Sequence, residues 1–170
     1  MSDPHSPLRL NVGFVVAQSA GFSRDIPFDL PQINIPPDLY LSGLIGNARA
    51  TRTPQGILLQ VDSKALINLE CVRCLTSFQQ TLNIDFTELY AFSQRFVTDS
   101  GLIVPETGII DLTPVLREYI LLEIPISPLC RPDCKGLCPI CGNNFNESIC
   151  YHEDDSGDPR LASLKSLLDK

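Results

Sequence analysis

The chain is short of positive charge. Lysine and arginine number 13 against 20 aspartates and glutamates, a net charge of −7 and a pI of about 4.7. Phosphate contacts need basic side chains, so the balance argues against a simple nucleic-acid binder. Long apolar runs are also missing. The start, Met1-Ser-Asp-Pro-His5, has no basic n-region, and the nearest apolar stretch, Val12 to Ala17, is short and contains Gly13. Neither a signal peptide nor a transmembrane helix is expected, and the expected location is the cytoplasm. Catalytic signatures are absent too: there is no GxSxG, no HExxH and no glycine-rich phosphate loop. Of the two histidines, His5 sits near the N-terminus, and His152 reads as a metal ligand or a surface residue. The run Glu153-Asp154-Asp155 reads as a solvated loop. No catalysis is expected. Internal repeats and low-complexity tracts are lacking as well.

What the chain does have is cysteine, concentrated near its C-terminal end. Cys130-Arg-Pro-Asp-Cys134-Lys-Gly-Leu-Cys138-Pro-Ile-Cys141-Gly142 is followed by Cys150-Tyr-His152. In a reducing compartment thiolates are free to bind zinc, and seven cysteines cannot all pair as disulfides within one chain. Cys138-Pro-Ile-Cys141-Gly142 has the form of a zinc knuckle. Two sulfurs turn onto one metal, and the glycine lets the chain bend so that backbone N–H groups face a sulfur. A four-ligand structural zinc site is expected from Cys134, Cys138, Cys141 and Cys150, with Cys130 and His152 as rivals. A second pair, Cys71-Val-Arg-Cys74, either completes another site with part of this cluster or closes a hairpin as two small buried residues. A redox pair is a third reading, but that motif normally opens a helix of a thioredoxin-type unit, and no such unit is visible. Seven cysteines and His152 suffice on paper for two sites.

The rest of the chain reads as an α+β protein. An antiparallel β-meander or partly closed barrel is expected from about Leu8 to Phe92. A helix follows Thr113, then a Cys-rich zinc knuckle and a short C-terminal helix. Leu8 to Val12 alternates as a first strand and runs on into Phe14-Val-Val16, and residues 17–37, with five prolines and glycines, read as an irregular connector. Tyr40 to Arg52, Ile57 to Val61, and Lys64 to Glu70 read as strands, with Thr53-Pro-Gln-Gly56 as a turn. Leu82, Ile84 and Phe86 alternate with Asn83, Asp85 and Thr87 and mark the clearest strand. This order puts Cys71 and Cys74 at a hairpin end. Residues 96–108 read as a loop with an acidic character. Thr113 is expected to cap a helix with Pro114 at its first position, burying Val115, Leu116, Tyr119, Ile120 and Leu122, and Pro125 ends it. Asp158-Pro159 opens a terminal helix with Leu161, Leu164 and Leu168 in one stripe. The expected organisation is a core domain over 1–126 and a Cys-rich segment with terminal helix over 127–170, forming one structural unit.

Arg49, Arg52, Lys64 and Arg73 fall in one stretch poor in acids, whereas Asp99, Glu106, Asp111, Glu118 and Glu123 dominate the next. The four basic residues are candidate RNA contacts if the meander brings them to one face. Solvated strand ends are the plainer reading, and Phe78 and Phe86 read as core. An acidic surface receiving a basic protein fits the charge equally well.

These motifs resemble the YceD family of large ribosomal RNA subunit accumulation proteins. The residues that carry the resemblance are Cys71-Val-Arg-Cys-Leu75, Asp111-Leu112, Arg117-Glu118 with Leu121 to Pro125, Cys130 to Gly142, Asn144-Phe-Asn146, and Asp158-Pro-Arg160 with Leu161, Leu164 and Leu168. The resemblance runs from about Leu8 onward, and its C-terminal motif is the specific part. It implies a cytoplasmic, non-enzymatic ribosome biogenesis factor needed for normal 23S rRNA levels, with plastid (stromal) relatives in plants. Its partners would be 23S rRNA or a pre-50S particle, or a basic large-subunit ribosomal protein, with no membrane and no small-molecule substrate. Many relatives end the cluster with Cys-x-Cys where this chain has Cys150-Tyr-His152, which leaves the fourth ligand open. Some lack most of these cysteines, which implies that a metal here serves stability. A redox-responsive thiol protein or a zinc-dependent protein-interaction module is the alternative function.

Overall fold

The computed structural model describes residues 7–152. One antiparallel sheet dominates it. Its strands are β2 (Ser23–Leu30), β3 (Ile33–Ile35), β4 (Leu39–Arg52), β5 (Gly56–Glu70) and β6 (Ser77–Ala91). They lie in the order β2-β4-β5-β6, with β3 also paired to β4. Two short strands, β1 (Arg9–Asn11) and β7 (Ile109–Asp111), form a separate antiparallel pair. The helical pieces are α1 (Gly13–Val16), a 3₁₀ turn at Gln94–Phe96, and α2 (Thr113–Glu123).

Period-two alternation places the core on one face of the sheet. Leu44, Ala48 and Ala50 of β4, Leu59, Val61, Ala65 and Ile67 of β5, and Leu82, Ile84 and Phe86 of β6 are buried there. Leu8, Leu10, Val12 and Val15 from the N-terminal segment join them, as do Val115, Leu116 and Ile120 of α2. Tyr119 stacks on Phe86 with ring centroids 4.4 Å apart and donates its hydroxyl hydrogen to Glu88 at 2.8 Å, which fixes α2 on β6. Gly46 is required where β2, β4 and β5 approach closely. A Cβ there would collide with Ser63 and come within 2.6 Å of the Asp62 carbonyl and 2.8 Å of the Phe28 ring.

Several expectations need correction. The proline-bearing connector contains β2 and β3. Pro27 is tolerated because β2 is an edge strand, where a missing N–H breaks no ladder on the open side. The two strands expected over 57–70 are one continuous β5. At their junction Asp62 faces solvent, while buried Ser63 donates to the Ile84 carbonyl at 3.4 Å, so two polar residues pass through without a break. The first strand stops at Asn11, and residues 13–16 make a helical turn. The described strands form an open sheet, with β2 and β3 on one edge and β6 on the other, so no barrel closure is present among them. Leu112, not Thr113, occupies the cap position of α2, and Asp111 Oδ1 accepts the Thr113 N–H at 2.9 Å. Leu122 is 78% exposed, because two residues beyond Ile120 is about 200° around a helix. The expected helix over 158–168 lies outside the described residues. None of the described helices is long and apolar enough to cross a membrane.

Candidate metal centres

The turn between β5 and β6 carries Cys71-Val-Arg-Cys74. The Cys71 N–H donates to the Thr76 carbonyl at 3.0 Å, and the Leu75 N–H donates to the Cys71 carbonyl at 2.9 Å. Leu75 takes a left-handed φ of 59°. The chain leaving α2 comes back to this turn, where the Val72 N–H donates to the Pro128 carbonyl at 3.0 Å. Arg73 Nη1 donates to the Cys134 carbonyl at 2.9 Å, and the Arg73 carbonyl accepts the Leu137 N–H at 3.1 Å. These bonds bring Cys130 and Cys134 onto the first knuckle.

The sulfurs of Cys71, Cys74, Cys130 and Cys134 all lie within 4.8 Å of one another. Cys71 Sγ is 3.7 Å from Cys134 Sγ, and Cys74 Sγ is 3.6 Å from Cys130 Sγ. A disulfide would need about 2.0 Å, and none of the seven cysteines is so paired. Four sulfurs arranged tetrahedrally at about 2.3 Å from one ion would be separated by roughly 3.8 Å. The observed spacings fit that figure. Asn146 supports the site from outside: its amide donates to Cys134 Sγ at 3.4 Å, and its carbonyl oxygen accepts the Lys135 N–H at 2.9 Å.

A second group gathers Cys138, Cys141, Cys150 and His152, again with all ligand atoms within 4.8 Å. Its knuckle repeats the first. The Gly142 N–H donates to the Cys138 carbonyl at 2.9 Å, and Gly142 has a φ of 73°. The Ile140 N–H points at Cys138 Sγ at 3.4 Å. His152 Nε2 lies 3.2 Å from Cys141 Sγ. The Cys138 N–H donates to the Asn143 carbonyl at 2.8 Å, and the Asn143 amide holds Ser148 at 2.9 Å, which carries the chain round to Cys150.

The expected set Cys134, Cys138, Cys141 and Cys150 is therefore not assembled. Cys134 joins Cys71, Cys74 and Cys130, and His152 completes the other group. Grouping ligands by nearness in sequence misplaced Cys134, because three intervening residues are enough for the chain to leave one cluster and start the next. The signal for this grouping was the likeness of Cys71-Val-Arg-Cys-Leu75 to Cys138-Pro-Ile-Cys-Gly142: each of the two groups is built on one such knuckle.

The electrostatics favour a cation at each. Burial raises the Cys71 thiol, but backbone N–H groups of Cys130, Cys74 and Arg73 outweigh it and bring it down to about 6. The Cys141 N–H, against burial and with help from Ile140, lowers Cys138 to about 6. Burial and the neighbouring sulfurs push Cys130 up to about 12 and Cys150 up to about 11. Thiols this close cannot all ionise beside each other, and a divalent ion removes the conflict by facing every thiolate with positive charge. Either group could hold a metal ion.

The four basic candidates do not share a face. Arg49 lies on the solvent face of the sheet and is held by Asp25, at 2.7 and 3.0 Å. Lys64 is on that same face, opposite Ile45 and Asn83. Arg52 instead bonds the Val16 and Thr53 carbonyls and lies over the Phe92 ring at 4.1 Å. Arg73 is committed to the first knuckle. Phe86 is core, and Phe78 packs beside the first cysteine group.

The family described as large ribosomal RNA subunit accumulation protein YceD matches residues 59–168. The chain belongs to the YceD family. Both cysteine groups fall within the matched stretch. An uncharacterized protein of Mycobacterium tuberculosis is 35% identical over 126 residues, covering 71% of this chain and 59% of that protein. One of Bacillus subtilis is 33% identical over 102 residues, 59% of each chain. The chloroplastic YCED homolog 1 of Arabidopsis thaliana is 36% identical over 67 residues, 38% of this chain and 21% of the homolog. The matched region thus spans about three-fifths of the length of the bacterial relatives. No solved structure matches the chain.

Proposed function

We propose that this YceD protein is a non-enzymatic cytoplasmic factor that supports accumulation of large-subunit ribosomal RNA. Family membership is the observation that carries the reading, and the name of the plant homolog agrees with it. Zinc is the metal that fits the two donor sets, Cys₄ and Cys₃His, which are typical of tetrahedral structural sites. Its role is to hold the segment after α2 against the end of the sheet.

The partner that best fits the charge is a basic large-subunit protein. Two of the four candidate RNA contacts are turned away from the sheet face, and Arg49 is neutralised by Asp25. The solvent face also carries Asp29, Asp62 and Asp85, with Asp62 directly opposite Asp85 across β5 and β6. Like charges in that register repel. An incoming lysine or arginine would relieve them, whereas a phosphate would not. A shallow depression of about 480 Å³ lies there, lined by residues including Asn47, Gln60, Asp62, Asp85 and the Asp25-paired Arg49.

The test is depletion of the protein followed by a sucrose-gradient ribosome profile, with 23S and 16S rRNA quantified. A loss of 50S particles with 23S falling relative to 16S is expected, and an unchanged profile and ratio contradicts the reading. Ultraviolet and chemical crosslinking separate the partners: protein adducts with few RNA adducts are expected, and dominant RNA adducts would return the role to direct rRNA binding.

A further inference from the structure

The two cysteine groups are not equivalent. In the first, Cys71, Cys74 and Cys134 are 0%, 5% and 3% exposed, and Cys130 is half-buried. Its ligands come from two distant parts of the chain that Val72 and Arg73 lock together, and Asn146 adds a hydrogen bond to Cys134 Sγ. The second draws all its ligands from residues 138–152. Cys138 is buried there, but Cys141 and His152 are exposed and Cys150 is half-buried. The β5–β6 turn, which supplies Cys71 and Cys74 to the first group, contributes no ligand to it.

Metal leaves such a centre by ligand exchange. An incoming donor must reach the ion, and a protein ligand must swing away. Burial and hydrogen bonds to the ligand sulfurs oppose both steps in the first group. In the second, the Cys141–His152 side is open to solvent, and both displaced ligands can move without disturbing the core.

We propose that the chain carries two zinc ions of different permanence: a fixed one at Cys71, Cys74, Cys130 and Cys134, and an exchangeable one at Cys138, Cys141, Cys150 and His152. The inference rests on the zinc reading above. When the second ion is taken by a chelator, it departs as the chelate. The freed thiolates take up protons from solvent, and no electron transfer occurs. Segment 127–137 stays docked on the sheet throughout, because the first ion still ties it to the β5–β6 turn.

The experiment uses the zinc-loaded full chain and 4-(2-pyridylazo)resorcinol, which absorbs on binding zinc. Total zinc is measured separately after acid digestion. Two zinc ions per chain are expected. Half should reach the dye in a phase at least about tenfold faster than the rest, the size of effect that outer-shell support has on metal sites. His152→Ala should accelerate or remove the fast phase and leave the slow one unchanged. Cobalt substitution of the same variant should alter only the sulfur–nitrogen component of the spectrum. Cys150→Ser is the second variant, with the same expectation. Release of both ions in one phase, or a change in the slow phase on His152→Ala, overturns the proposal while leaving two-zinc binding intact. Zinc absent from the purified chain overturns the metal reading itself, and the proposal with it.

Discussion

Cys71 and Cys134 are 63 residues apart in sequence, and their sulfurs are 3.7 Å apart in space. With Cys74 and Cys130 beside them, they make the β5–β6 turn one half of a centre whose other half comes after α2. The pairing explains why a chain with a large apolar core also clusters cysteines at the far end of its sheet. The core secures the sheet and α2, and the sulfur centre secures the segment beyond α2. Cys134→Ser should reduce bound zinc from two ions to one and raise the protease sensitivity of the chain after Pro125. The sheet should stay folded, as judged by far-ultraviolet circular dichroism. Unchanged metal content in the variant would mean that Cys134 is not a ligand.

Leu75 occupies the position that Gly142 holds in the second knuckle, with φ of 59° against 73°. A left-handed conformation costs a residue with a Cβ about 1–2 kcal/mol, and glycine escapes that cost. Leu75 is also 56% exposed, so little packing is lost on its removal. Leu75→Gly should therefore stabilise the protein by about 1 kcal/mol, read as a higher thermal midpoint. Gly142→Ala should lower zinc retention at the second centre. A lower midpoint for Leu75→Gly would show that its exposed side chain contributes more than its backbone costs.

Ile120 is fully buried where α2 meets the sheet. Ile120→Ala leaves a cavity and should cost about 2–5 kcal/mol. Denaturant unfolding followed by tyrosine fluorescence checks this, since Tyr119 stacks on Phe86 at the same contact. A loss much below that range would mean that α2 is not seated on β6.

Asp25 has its carboxyl held down at about 2 by the side-chain hydrogen bond from Arg49, with Asn47 adding to it. A folded-state pKa below the unfolded value of 3.8 stabilises the fold fully above pH 3.8, and the contribution is lost as pH falls through about 2. The pair is solvent-exposed and screened by salt, so its contribution is small. A carboxyl-carbon NMR titration should find the Asp25 midpoint near 2 in the wild type and shifted back up towards 3.8 in Arg49→Ala. An unchanged midpoint in the variant would show that the ion pair is not its cause.

Legibility in the sequence tracks the range of the interaction. Alternation along β6 named its inward residues, Leu82, Ile84 and Phe86, because period-two burial is a local property. The turn at Thr53 to Gly56 was equally plain, since proline and glycine impose it locally. β2 was hidden because Pro27 reads as a breaker until the strand is known to be an edge. Leu122 was assigned to the core because a short helix rich in leucine does not show which side the sheet will cover. Every ligand was visible as a residue, but the partition between two centres was not. It depends on where the β5–β6 turn meets the chain after α2, a contact set by the packing of the whole sheet. The ion pair of Arg49 was hidden for the same reason: Asp25, which takes it, lies on β2.

The most direct measurement is zinc K-edge X-ray absorption on the purified full chain, together with its zinc content. Two ions per chain are expected, sharing seven sulfurs at about 2.3 Å and one imidazole nitrogen. A single ion bound by four sulfurs, kept in full by Cys71→Ser and lost from Cys138→Ser, would instead match one site built from Cys134, Cys138, Cys141 and Cys150, and would contradict the two-centre arrangement.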